Sequence, residues 1–163
     1  LKTVLIVYHS MTGGSQAMAQ AVASGAACEP EVHCRLLHVS QATAADVLQA
    51  NAFVCVTPET LGSMSGLMKD FFDRTYYAVI DRLVGRPCAI LVCAGSDGSN
   101  AVRQIQRILT GWRLREICEP VVVCTHAQTP EDISAPKRIA EFDLQRCRDV
   151  GASLATGLAM GIF

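Results

Sequence analysis

No apolar stretch in the chain approaches the ~20 residues that a membrane-spanning helix needs. Charge of one sign is also missing: 14 Lys and Arg stand against 15 Asp and Glu, a formal net charge of -1. That balance excludes the basic footprint of a nucleic-acid binder and the polybasic patch of a membrane-surface protein. The start lacks the basic n-region and the cleavage site of a signal peptide. Instead Lys2-Thr3-Val4-Leu5-Ile6-Val7-Tyr8 runs straight into a polar glycine-rich loop and reads as a first strand. Eight cysteines are present, yet no Cys-x-x-Cys pair and no Cys/His ligand spacing occurs, so neither a metal site nor a disulfide framework is expected. Cys55, Cys88, Cys93 and Cys124 sit in apolar runs, where a thiol behaves as a small hydrophobe. A reducing, cytoplasmic setting is the expectation. Cys93 lies nearest a loop and is the exception to watch.

What is present suits one domain over residues 1–163. Half of the residues are hydrophobic and the mean hydropathy is +0.29, which argues against disorder and allows a substantial core. Apolar blocks alternate with helical patterns without a break in composition. Strands are expected at residues 3–8, 32–39, 52–56, 87–93 and 120–125. Helices are expected at 15–27, near 43–49, from Ser65 onward, at 99–112 and at 135–158. Five strands alternating with five helices imply parallel crossovers and a doubly wound α/β sheet with helices on both faces. In such a sheet ligands bind beyond the carboxyl ends of the strands, where the strand order reverses. For an order of 2-1-3-4-5, the loops after strands one, three and four build the site.

The first of these is His9-Ser10-Met11-Thr12-Gly13-Gly14-Ser15, leading into a helix. Hydroxyls of Ser10, Thr12 and Ser15 can donate to phosphate oxygens. Gly13 and Gly14 let backbone N–H groups approach, and the helix N-terminus adds partial positive charge. No lysine follows the glycines as in a nucleoside-triphosphate loop, and the three-glycine dinucleotide spacing is absent. A monophosphate bound by neutral donors fits. The loop after strand four, Ala94-Gly95-Ser96-Asp97-Gly98, again brackets polar residues with glycines at a helix start.

The loop after strand three is Thr57-Pro58-Glu59-Thr60-Leu61-Gly62-Ser63-Met64-Ser65-Gly66, continuing through Lys69 and Asp73. Pro58 is expected to stop the strand, and the loop can offer backbone N–H and C=O groups to the edge of a heteroaromatic ring. This stretch resembles the Thr-Pro-Glu-x-x-Gly-Ser-x-x-Gly-x-x-Lys-x-x-x-Asp signature of NADPH-dependent FMN reductases. It is similar also to the Gly-x-Met-Ser version in flavodoxin-like NAD(P)H:quinone oxidoreductases. The resemblance implies a flavodoxin-like fold, FMN as cofactor, and NADPH or NADH as co-substrate. It implies that Pro58, Glu59, Thr60, Leu61, Gly62 and Ser63 contact the isoalloxazine and ribityl groups, while the 94–98 loop covers another edge of the flavin. Lys69 and Asp73 read as helix-surface residues, and Trp112 as a packing residue. The chain departs from the signature at Thr60-Leu61, where the family commonly has Tyr-Asn.

No catalytic side chain is expected, because a flavin supplies its own redox chemistry. His9 and His126 lie near the expected site, but each reads better as a satisfied or solvated histidine. Arg103, Arg107, Arg113 and Arg115 read better as a solvated helix face than as a seat for a nicotinamide 2′-phosphate. The leading expectation is an FMN-dependent NAD(P)H oxidoreductase that reduces a quinone, a flavin or a similar small acceptor. The alternative is a flavodoxin-type electron carrier with a redox partner protein and no nicotinamide site. Carriers of that type tend to be strongly acidic, and this chain is not. A phosphorylated receiver domain is set aside, because no acidic cluster follows the first strand. A homo-oligomer stays open.

Overall fold

The computed structural model describes residues 1–163. Its elements run β1 (Lys2–Tyr8), α1 (Gly14–Ala26), β2 (Val32–His38), α2 (Ala44–Gln49), β3 (Ala52–Thr60), β4 (Ser63–Met64), α3 (Gly66–Val79), β5 (Pro87–Ala94), α4 (Ser99–Gly111), β6 (Arg115–Glu116), β7 (Val121–Cys124), α5 (Pro130–Ser134) and α6 (Glu141–Ala159). The strand order is β2-β1-β3-β5, with β6 and β7 both on the outer side of β5. Every pairing is parallel except the short β3–β4 hairpin. The expected doubly wound winding is therefore present, but seven strands build it rather than five. The edge strand is broken in two around Ile117–Pro120, where Pro120 has no N–H to give to a ladder.

Val4 to Val7 have no exposed surface, and every residue of β5 is buried. Strands covered on both faces need continuous apolar runs, and these segments have them. One face is covered by α2, α3 and α4 over a core that includes Phe53, Phe71, Phe72 and Trp112. The other face is covered by α1 and α6 over smaller residues such as Ala19, Val22, Cys147 and Ala155.

Two further expectations need correction. Pro58 does not end its strand. β3 continues to Thr60, and its ladder passes from β5 at Pro58 to β4 at Glu59, so the proline sits where the strand exchanges partners. The last helix does not start at residue 135. Pro136 disfavours helical backbone at Ala135, so a separate turn, α5, precedes α6. No helix is long and apolar enough to cross a membrane.

Candidate functional site

The carboxyl ends of β1, β3 and β5 open onto a cavity of about 380 Å³. Ten of the residues singled out in the sequence line it. They are Ser10, Thr12, Gly14 and Ser15 after β1, Pro58, Glu59, Thr60 and Leu61 around the end of β3, and Ala94 and Gly95 after β5. The winding explains this convergence, because the crossovers from β1 and β3 leave to opposite faces and a crevice remains between their loops.

Gly13 is the N-cap of α1 with φ of 96°, a left-handed conformation that a Cβ would penalise. Its N–H donates to Ser10 Oγ at 3.0 Å, so the Ser10 hydroxyl hydrogen stays free to donate elsewhere. Ser15 is only 2 % exposed, and its Oγ has no hydrogen-bond partner within the protein. A buried hydroxyl without a partner costs about 1–3 kcal/mol, which an acceptor entering the cavity would recover. The first turn of α1 carries no acidic residue, so its helix dipole is not neutralised by the chain itself. Hydroxyl donors, backbone N–H groups and an open helix N-terminus at one end of a cavity suit the phosphate of FMN.

The opposite wall is the β3–β4 hairpin. Leu61 (φ 52°) and Gly62 (φ 73°) form its two-residue turn, both in left-handed conformation. The hairpin is tied to α4. Ser63 Oγ and the Met64 N–H both donate to Gln104 Oε1 at 3.0 Å, and Asn100 Nδ2 donates to the Gly62 carbonyl at 2.6 Å. Behind it Thr57 Oγ1 and Ser65 Oγ lie 3.2 Å apart. Gly62 and Ser63 thus hold the wall in place without lining the cavity. Gly13, Ser96, Asp97 and Gly98 also lie outside the lining. Ser96 and Asp97 are exposed, Asp97 accepting from Ser99 Oγ at 2.8 Å, and Gly98 is the N-cap of α4.

The chain places several other residues as expected from their patterns. Lys69 and Asp73 form an exposed ion pair one helical turn apart on α3. Trp112 is buried against Phe53 and Phe72 at centroid distances of 5.9 and 5.2 Å. His9 does not line the cavity. The expectation of a satisfied or solvated histidine needs correction, because His9 is buried beside His38, with ring centroids 5.8 Å apart, and its Nδ1 has no partner. Burial, and secondarily the charge of His38, pushes its pKa down, so it is held neutral. Cys93 does face the cavity, yet it is no ready nucleophile. Burial pushes its thiol up to about 11, against the pull of Lys137 and helped by Cys124.

Sequence reasoning missed Thr125, Ala127, Ile133 and Lys137 in the lining, and left Met11 unassigned. The first four follow β7, in the segment that a helix from residue 135 had partly absorbed. A readable signal was there. Thr129 accepts from the Asp132 N–H at 3.1 Å and caps α5, with Pro130 directly behind it.

Comparison with known proteins fits this geometry. The family model described as NADPH-dependent FMN reductase matches residues 25–129. A flavodoxin from Aquifex aeolicus is 36% identical over 100 residues, covering 61% of this chain and 54% of that protein. An NAD(P)H dehydrogenase (quinone) from Solidesulfovibrio magneticus is 31% identical over 135 residues, covering 65% of this chain and 66% of that protein. The chain therefore spans between half and two thirds of the length of these relatives. Among solved structures, a flavodoxin from the domain Archaea superposes with a TM-score of 0.77 at 19% identity, covering 96% of this chain and 99% of that one, which speaks for the fold alone. With most of the chain inside that family model, and a loop of hydroxyls and glycines sharing one cavity with the hairpin of its signature, this protein belongs to the NADPH-dependent FMN reductase family and has FMN as its cofactor.

Proposed function

We propose that residues 1–163 form one FMN-binding domain that oxidises NADPH or NADH and reduces a quinone, a flavin or a similar small acceptor. The observation that carries this reading is the unpartnered Ser15 Oγ inside a cavity whose other wall is the reductase-signature hairpin. When bound, FMN supplies the redox chemistry, accepting electrons from the nicotinamide and releasing them to the acceptor. The chain's residues bind and orient. Ser10, Thr12 and Ser15 donate from their hydroxyls to the phosphate, joined by N–H groups around Gly13 and Gly14. Pro58 to Ser63 present the hairpin backbone to the isoalloxazine and ribityl groups. Ala94 to Gly98 form the third edge, with Ala94 and Gly95 in the wall and Asp97 holding the loop against α4. A cytoplasmic setting belongs to the same reading.

One observation favours a second reading, a flavodoxin-type carrier that hands electrons to a partner protein. Met11 on the loop after β1, Leu61 in the β3–β4 turn and Ile133 on α5 stand exposed around the cavity, an apolar rim that suits contact with another surface. The near-neutral charge of -1 weighs against it, because carriers steer to partners by strong fields.

Anaerobic stopped-flow mixing of the FMN-loaded protein with NADPH, then NADH, separates the two. Rapid bleaching of the flavin absorbance, reversed on adding a quinone, is the expected result. A protein that neither nucleotide bleaches, but that dithionite reduces, is a carrier. Failure to take up FMN would overturn both readings.

A further inference from the structure

The cavity has a single cationic side chain in its wall. Lys137 stands in the segment between β7 and α6, and it is the only Lys, Arg or His among the lining residues. It lies against the loop after β1. The Lys137 N–H donates to the Thr12 carbonyl at 2.8 Å. A Cβ added at Gly14 would stand 3.3 Å from Lys137 Cβ, so the two segments pack side by side in the cavity wall. Ile139 anchors the same segment from below, packing against the α1–α6 core.

The Lys137 ammonium has no carboxylate within ion-pair distance. It donates instead to three backbone carbonyls at the end of α5, those of Asp132 and Ile133 at 2.8 Å and of Ala135 at 2.6 Å. These carbonyls are the unpaired acceptors that any helix end leaves, and they are neutral. The charge is felt inside the cavity, where it opposes the rise of the Cys93 pKa. A phosphate monoester carries close to two negative charges near neutral pH, and the loop after β1 offers it only neutral donors. An uncompensated cation beside an uncompensated anion seat is a matched pair.

We propose that Lys137 is the counter-ion of the phosphate in this cavity, a binding residue whose ammonium moves from its carbonyl cage onto the phosphate oxygens. The inference rests on the reading that the cavity takes FMN. A lysine suits the task because its head is a point charge on a flexible stem, free to exchange one set of acceptors for another. The segment thereby selects flavins by their phosphate as well as holding them.

Titration of the flavin-free protein with FMN and with riboflavin, read by quenching of flavin fluorescence, tests this. Lys137→Met should weaken FMN about tenfold or more while leaving riboflavin unchanged, so the preference for the phosphorylated flavin collapses. Salt should weaken FMN binding to the wild type more than to Lys137→Met. Lys137→Arg should keep most of the preference. An equal loss for FMN and riboflavin would make Lys137 a latch of the loop and overturn the proposal. Unchanged FMN affinity in Lys137→Met would overturn it while leaving the FMN reading intact. A wild type that takes up neither flavin would overturn that reading itself, and this one with it.

Discussion

Between α1 and α6, backbone meets backbone. A Cβ at Gly151 would lie 2.0 Å from the Val22 carbonyl oxygen, and one at Gly25 would lie 1.9 Å from that of Arg148. On the opposite face of the sheet the contacts are made by large side chains. Phe53, Phe71, Phe72 and Trp112 form one cluster with ring centroids 5.2 to 6.4 Å apart. The two faces also hold different parts of the cavity. The α1–α6 face fixes α1, whose N-terminus carries Gly13, Gly14 and Ser15. The aromatic face fixes α3 and α4, and α4 in turn grips the β3–β4 hairpin through Asn100 and Gln104. The proposed phosphate seat therefore rests on packing that has no slack. The proposed ring-side wall rests on rings that can shift and on hydrogen bonds that can be remade.

The largest expected effect breaks the first kind of packing. Gly151→Ala must drive α6 away from α1, and a loss of about 4 kcal/mol is expected, or failure to fold. Urea unfolding measures it, and a loss below about 1 kcal/mol would show that the helices part cheaply. Gly111→Ala is the matched control, since nothing lies within 4 Å of a Cβ there and the residue ends α4. It should be neutral or slightly stabilising. On the aromatic face the response should be graded rather than abrupt. Phe71→Ala is expected to cost about 3–4 kcal/mol through the cavity it leaves, and Phe71→Leu about 1–1.5 kcal/mol. If both faces answered an added or removed methyl alike, the contrast would be false.

How much of this was readable follows the same physics. Strands buried on both faces announce themselves as unbroken apolar runs, which is why residues 3–8 and 87–93 were legible. The place of the loop after β1 in the cavity wall was legible because hydroxyls and glycines there lead straight into a helix. Elements that exist only by tertiary contact were not. β6 is two residues, Arg115 and Glu116, held straight by β5. The continuation of β3 past Pro58 depends on β4 arriving beside it. Gly25 and Gly151 are interior helix glycines whose reason appears only when the two helices meet. Lys137 reads as one more surface lysine until Thr12 is found against its N–H.

A smaller change loosens the ring-side wall alone. Gln104→Ala removes both hydrogen bonds at 3.0 Å to Ser63 and Met64, and should cost about 1 kcal/mol. The effect should be local. Hydrogen exchange at the Met64 amide should accelerate while amides in β1 and β5 keep their protection. Equal acceleration throughout would mean that the hairpin and the core open together.

The smallest effect has the opposite sign. Leu61 is fully exposed, so its side chain packs on nothing, yet it holds φ of 52° in a turn that favours Asn-Gly. Leu61→Asn should therefore stabilise the protein by about 0.5–1 kcal/mol, read as a higher urea midpoint at unchanged slope. The same variant should bind FMN less tightly, because it replaces an apolar side chain of the cavity wall with an amide. Stability gained while flavin affinity is lost would show that the strained leucine serves the ligand rather than the fold. Gain in both would mean that the turn is simply unoptimised, and the contrast between a rigid phosphate seat and an adaptable ring-side wall would then rest on Gln104 alone.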